Sequence, residues 1–238
     1  MIYLLLYILR HGDPIYSPDT LTQKGRLQAD ALAKRLASAG LDKVYSSPLG
    51  RAKETAQPTC DLLGLKYEIE EWTSESLAWK DFSMVMPDGK RRWTFSRPGP
   101  VLRNDMTIEA GAKWHELDVF SQTNAREGYD RICRASDGFL EKHGYRREGA
   151  VYRITDPNDL RIAVFCHEGF SLTWLSHLLG IPPHIFWTGF GITHSGLTLL
   201  QFYNHDEGYT VPRCLCHSDL SHIYGEGLPM TYNNTLRI

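Results

Sequence analysis

The feature that most constrains this chain is an apolar run near its start that ends in two basic residues and a glycine. Ile2 to Leu9 is aliphatic or aromatic throughout, and the run stops at Arg10-His11-Gly12. A short apolar run closed by a turn signal reads as a buried strand. In an open α/β sheet the ligand crevice lies beyond the C-terminal ends of the strands. Arg10, His11 and Gly12 therefore stand where a ligand would be held. Arginine presents a planar fork of donors that suits phosphate. Imidazole can act as nucleophile, acid or base near neutral pH. Glycine lets the backbone approach a ligand closely. Taken alone, the tripeptide reads equally well as a strand that ends in a solvated basic pair.

The pattern of a strand, a basic residue with glycine, and a helix start recurs further on. Leu21 to Ala39 reads as a helix, with Leu27, Ala31, Leu32 and Leu36 at helical spacing and Gly40 as its stop. Lys43-Val44-Tyr45 is a short strand, and Ser47-Pro48 opens a second helix as N-cap and first residue. Arg51 falls in the first turn of that helix, where the macrodipole disfavours a cation unless an anion sits nearby. Tyr67 to Trp72 alternates as a strand. Arg161 to Cys166 is a further apolar strand, ending at His167-Glu168-Gly169 ahead of a helix over Ser171 to Leu179. Helix N-termini of this kind attract anions through their free N–H groups. Leu197 to Tyr203 and Tyr209 to Cys216 read as a final strand pair. Alternating strands and helices predict a mostly parallel twisted sheet with helices on both faces. One domain over 1–238 accommodates them, with an irregular and helical insertion over about 76–145 that covers the crevice. Within the insertion, 106–121 and 123–144 have helical patterns.

The chain has 238 residues and a formal net charge of −2. That balance argues against nucleic acid or a membrane surface as the main partner, so any anion site must be local. The five cysteines show no framework spacing, which fits a reducing compartment. Cys214 and Cys216 could be a fragment of a metal site, but zinc pairs are usually spaced more widely. Alternate residues on a strand share a face, so both thiols are expected in the core. The N-terminal run lacks a basic flank, and no stretch reaches the length of a membrane span. The chain reads as cytoplasmic. Self-association as a homodimer stays open.

Leu9-Arg10-His11-Gly12, Leu21-Thr22 with Gly25, Ser46-Ser47-Pro48-Leu49-Gly50-Arg51-Ala52, Glu54-Thr55-Ala56 and the late His167-Glu168-Gly169 occur in a fixed order. Together they resemble the histidine phosphatase superfamily, the phosphoglycerate mutase-like group. The resemblance covers roughly the first 75 residues and then 160–200. It implies a three-layer sandwich in which His11 attacks phosphorus and becomes a phosphohistidine. Arg10, Arg51 and His167 would surround the phosphoryl oxygens, supplying charge without a metal or cofactor. The family also uses a carboxylic acid to protonate the leaving oxygen, in a segment that Trp72-Thr73-Ser74-Glu75 matches at the Trp and the Glu. Glu75 is thus the expected general acid, with Glu71 the alternative. Gly12, Ser17, Glu168 and Gly169 are further candidates to contact substrate. Glu168 could instead serve as a helix-start acid.

Phosphatases and mutases of this kind share their machinery and differ in whether water or a bound sugar-acid accepts the phosphoryl group. Mutases carry an Arg-rich segment beside the acid. Here Glu75-Ser76-Leu77-Ala78-Trp79-Lys80 carries little positive charge, although Lys90-Arg91-Arg92 could substitute. A metal-independent phosphomonoesterase acting on a small phosphate ester is therefore preferred to a mutase. A non-catalytic binder of phosphorylated ligands is the third reading, and it would be expected to have lost His11 or the acid. Trp79, Trp93 and Trp114 hint at a substrate with an apolar or planar part, and core packing explains them equally well.

Overall fold

The computed structural model describes residues 2–232 and 236–237. Strands β1 (Tyr3–Arg10), β2 (Lys43–Ser46), β3 (Tyr67–Ile69), β4 (Arg161–Cys166), β5 (Leu197–Tyr203) and β6 (Arg213–Asp219) form one sheet in the spatial order β6-β5-β1-β4-β2-β3. β1, β4, β2 and β3 are parallel, while β5 and β6 add an antiparallel edge. The expected mostly parallel α/β sheet is thus present.

The continuous apolar character of β1 has a direct cause. Successive side chains of a strand point to opposite faces, and both faces of β1 are covered. Leu4, Leu6 and Ile8 enter a core shared with helices α4 (Ala125–Glu141) and α5 (Glu168–Leu179), through Ile132, Phe139, Leu172 and Trp174. Tyr7 and Leu9 enter a second core with α1 (Gln23–Ala39) and α2 (Gly50–Leu63), through Leu32, Leu36, Ala56 and Cys60. Each fully buried Leu or Ile contributes about 1.5–3 kcal/mol of transfer free energy. A strand of this kind is hard to shift in register.

β4 lies between β1 and β2, so the chain leaves β1 over one face of the sheet and leaves β4 over the other. The C-terminal ends of β1, β2 and β4 meet at one edge, in register Arg10 with Cys166 and Ser46 with Phe165. This is the place at which open α/β sheets hold ligands. β5 runs against β1, so its N-terminal end, Thr193 to Gly196, arrives at the same edge. There Arg10 N–H donates to the Gly196 carbonyl and Ser195 N–H to the His11 carbonyl.

Several expected boundaries move. The third strand ends at Ile69, and Glu71–Thr73 is a 3₁₀ turn. The 106–121 stretch breaks at Gly111, whose φ is +49°, into one short helix and two 3₁₀ turns. Tyr209–Thr210 does not begin the last strand of the main sheet and pairs with Val151–Ile154 in a separate sheet. Pro212 has no N–H for the ladder, and β6 starts after it. β6 is an edge strand with register shifts against β5, so Cys214 and Cys216 do not share a buried face. Cys214 is exposed, and Cys216 is only partly buried against the second core. Among the described residues no helix is long and apolar enough to cross a membrane.

Candidate active site

His11 follows directly on β1. Its Nδ1 lies 2.7 Å from the carbonyl of Gly12, an oxygen that can only accept, so the ring proton sits on Nδ1. The Nε2 lone pair faces outward and receives Arg51 Nε–H at 3.2 Å. Burial, reinforced by His167 and by the Arg10 and Arg51 guanidiniums, drives the His11 pKa well below the usual histidine value. The ring is therefore neutral at pH 7, the state in which Nε2 can attack an electrophile.

His167 is fully buried behind it, with ring centroids 5.1 Å apart. Its Nε2 shares a hydrogen bond with Ser47 Oγ at 2.8 Å, and its Nδ1 has no hydrogen-bond partner in the protein. Burial, then Arg51 and Arg10, also hold the His167 pKa well below its usual value.

The two arginines are held by counter-charges from different elements. Arg10 pairs with Glu168 at 2.9 Å, donates to the Ile192 carbonyl, and donates to His194 Nε2 at 2.8 Å. Arg51 pairs with Asp19 at 2.7 Å and lies over the ring of Tyr16. Asp19 also accepts the Gly50 N–H at 2.6 Å. The second helix accordingly begins at Gly50 and not at Pro48. Ser47, engaged by His167, accepts from the Leu49 N–H only at a long 3.4 Å and does not cap the helix. The anion near Arg51 that its position at a helix start called for is Asp19.

Glu75 opens α3 (Glu75–Phe82), behind a 3₁₀ turn pinned by Trp72, whose ring meets Trp174 and Phe170 edge-on in the core. Its two carboxylate oxygens accept N–H bonds from Gly169 at 3.0 Å and Phe170 at 2.9 Å. The anion at the start of α5 is thus an internal one. Burial raises the Glu75 pKa, against the opposing pull of those two N–H groups and of Arg10 and Arg51. Glu71 is exposed and away from the cavity.

Arg10, His11, Tyr16, Arg51, Glu75, Ser76, Trp79, Trp93 and Glu168 together line a cavity of about 540 Å³. Seven of the nine, Arg10, His11, Arg51, Glu75, Trp79, Trp93 and Glu168, are residues singled out in the sequence. Gly12 does not reach the cavity. A Cβ there would come within 2.6 Å of the Gly25 carbonyl oxygen, so Gly12 serves the close packing of β1 on α1. Gly169 bonds Glu75, and its bare Cα face is covered by Trp93. Ser17 is exposed in the 14–21 hairpin, and the neighbouring Tyr16 lines the cavity in its place. Trp114 is 2% exposed and belongs to the core. Arg91 and Arg92 are engaged by Ser83 and Asp88 and do not line the cavity.

The other residues of these motifs are scaffold. Thr22 caps α1, Glu54 accepts from Thr20, Leu21 and Arg26, and Thr55 accepts the Gly12 N–H while donating to the Arg51 carbonyl. His194, Asp19 and Tyr16 went unread in the sequence. For His194 a signal existed, in a His followed by Ser-Gly just before an apolar strand.

Residues 6–80 match the model of the histidine phosphatase superfamily, branch 1. That match takes in about a third of the chain and includes Arg10, His11, Arg51 and Glu75, so this part of the chain is similar to that superfamily. A probable phosphoglycerate mutase of Yersinia enterocolitica is 33% identical over 72 residues, covering 26% of this chain and 34% of that protein. The alignment thus spans about a third of that relative's length. Phosphoserine phosphatase from Entamoeba histolytica superposes with a TM-score of 0.60 at 18% identity, over 92% of this chain and 99% of that one. The mycobacterial glucosyl-3-phosphoglycerate phosphatase gives 0.54 at 19% identity, over 88% and 96%. At such identities these likenesses establish the fold.

Proposed function

We propose that this chain hydrolyses phosphate monoesters through a phosphohistidine at His11, without a metal ion. The observation that carries the reading is the neutral His11, with its proton fixed on Nδ1 and its Nε2 facing a cavity that also holds Glu75, Arg10 and Arg51. In the first step Nε2 forms a bond to phosphorus while the bond from phosphorus to the ester oxygen breaks, and Glu75 gives that oxygen its proton. In the second step water attacks phosphorus, Glu75 takes a proton from the water, and the bond to Nε2 breaks, releasing inorganic phosphate. Arg51 leaves Nε2 to grip a phosphoryl oxygen, and Arg10 grips another. Phosphoryl transfer demands mainly positioning and charge stabilisation, which two buried guanidiniums supply. His167 does not line the cavity and stands behind His11, where its Nδ1 has no hydrogen-bond partner in the protein.

Water is the acceptor favoured over a second phosphorylated molecule, because the cavity lining contains two cations, both placed at the phosphoryl end. Rapid quenching during turnover of p-nitrophenyl phosphate should trap an acid-labile, base-stable phosphoenzyme. His11→Ala should lose the phosphoenzyme together with at least about 10⁴-fold in kcat, the order seen when a nucleophile is removed. Activity should persist in EDTA. Full turnover by His11→Ala, or loss of activity on chelation reversed by one divalent ion, would overturn the mechanism.

A further inference from the structure

The acid that protonates the leaving oxygen also marks where the rest of the leaving group must lie. Glu75 and Trp79 are four residues apart on α3, so they share a face of that helix. Trp93 lies on Gly169, the residue whose N–H binds Glu75, so closely that a Cβ at 169 would sit 2.7 Å from the indole. Trp79 and Trp93 meet edge-on at 4.8 Å, and Trp93 stacks on Phe95 at 5.2 Å. Both tryptophans are half-buried and line the cavity, with Ser76 beside them. The leaving-group end of the cavity is therefore a braced aromatic platform.

Its charge is as informative as its shape. The cations of the lining are Arg10 and Arg51, and its acids are Glu168 and Glu75, the latter protonated in the state that donates. Arg10 is already paired with Glu168, and Arg51 with Asp19. A substrate's phosphoryl group takes up what positive character remains. A carboxylate or second phosphate on the leaving group would be desolvated without a partner and would face the Glu168 carboxylate.

Building on the phosphomonoesterase reading, we propose that the substrate is the phosphate monoester of an uncharged alcohol carrying an aromatic ring, and that this ring rests on Trp79 and Trp93. Aromatic pairs gain from edge-on and offset contacts beyond the area that they bury. The ring is held through leaving-group contacts and so discriminates in kcat/KM. The class differs from phosphoserine, whose leaving group carries both an ammonium and a carboxylate.

The test uses alcohols of similar leaving ability, so that chemistry does not mask recognition. Purified protein is assayed with 2-phenylethyl phosphate, ethyl phosphate, O-phosphoserine and 3-phosphoglycerate. The expected result is kcat/KM at least about tenfold higher for the phenylethyl ester than for each of the other three. In Trp79→Leu and Trp93→Ala the ratio of phenylethyl to ethyl ester should collapse toward one, and Trp93→Phe should retain most of it. Should Trp93→Ala fail to fold, Trp79→Leu and Trp93→Phe carry the comparison. A preference for phosphoserine or 3-phosphoglycerate, or an unchanged ratio in Trp79→Leu, would overturn the aromatic assignment. Turnover of all four esters at equal efficiency, with a trapped phosphoenzyme, would overturn it while sparing the phosphatase mechanism. No turnover of any ester and no phosphoenzyme would remove both.

Discussion

The end of the cavity assigned to the phosphoryl group in the proposed mechanism is built from side chains held by charged or hydrogen-bonded partners, whereas the end assigned to the leaving group is built from rings packed on rings. Arg10, His11 and Arg51 are 8%, 3% and 7% exposed, while Tyr16 at the mouth is 69% exposed. The first set follows the ends of parallel strands or opens the helix after one, and those strands are locked by two cores. Trp79 and Trp93 stand on a short helix and the 83–93 hairpin outside the sheet. The difference separates two tasks. Charge stabilisation of a common phosphoryl group needs dipoles that do not move. Selection among leaving groups needs only complementary surface, which can be exchanged without disturbing the sheet.

Glu75 joins the two ends, and its replacement should produce the largest effect after His11. An alkoxide needs a proton to depart, and nitrophenolate does not. Glu75→Gln should slow ethyl phosphate by roughly 10²–10⁴-fold and p-nitrophenyl phosphate far less. Burial raises the Glu75 pKa, and the acid must be protonated to donate. The wild-type rate on alkyl esters should therefore fall as pH rises through that pKa, and the variant should lose this limb. Glu71→Gln, at an exposed position, should change neither substrate. Equal slowing of both esters by Glu75→Gln would assign Glu75 to positioning only.

A smaller loss is expected at Asp19, which touches the phosphoryl end without belonging to the cavity lining. Its carboxylate fixes Arg51 and the first N–H of α2. Asp19→Asn keeps an acceptor for Gly50 and removes the counter-charge. A misplaced guanidinium should cost about tenfold in kcat/KM, with weaker inhibition by vanadate. The phenylethyl-to-ethyl ratio should not move, since Arg51 lies at the other end. A changed ratio would mean that the two ends are coupled.

The same division explains what could be read from the sequence. The buried strands and the helix over 23–39 were legible because period and composition carry them, and Arg10, His11, Arg51 and His167 because they sit at their ends. Glu75 was reached only through the family resemblance, whose acid-bearing segment Trp72-Thr73-Ser74-Glu75 matches at the Trp and the Glu. Asp19 and Tyr16 were not, because they meet Arg51 across 32 and 35 residues through a hairpin whose orientation no local pattern encodes. Gly12 was noticed for the wrong partner. Its missing side chain makes room for Gly25, and two backbones in contact leave no periodic trace. The tryptophans could not be sorted in advance. Trp79 and Trp93 face the cavity and Trp114 is core, and all three have the same composition signal.

The smallest effect contrasts the two ends through stability. His11 and His167 have pKa values depressed below 6.5 by burial and by the arginines. The folded protein keeps both neutral under mildly acid conditions in which the unfolded chain binds a proton at each. Stability therefore falls as pH drops below about 6.5, by up to about 1.4 kcal/mol per pH unit for each such histidine, and levels off once the folded-state pKa is passed. His143 and His222, both lowered to about 4, add to this slope from elsewhere in the molecule. Carboxylates whose pKa is lowered, such as Glu54 and Asp219, start from 4.5 and 3.8 and act mainly below pH 5. Between pH 6.5 and 5 the histidines set the slope against the opposing contribution of Glu75, whose raised pKa lowers stability as pH rises. The histidine part is therefore read in urea unfolding as the difference between wild type and variant. His11→Ala should remove about one proton's worth of slope in that window, and Trp79→Leu should leave the slope unchanged while lowering stability uniformly. If His11→Ala unfolds with the wild-type slope, His11 is already protonated in the folded protein, and the neutral nucleophile has to be abandoned.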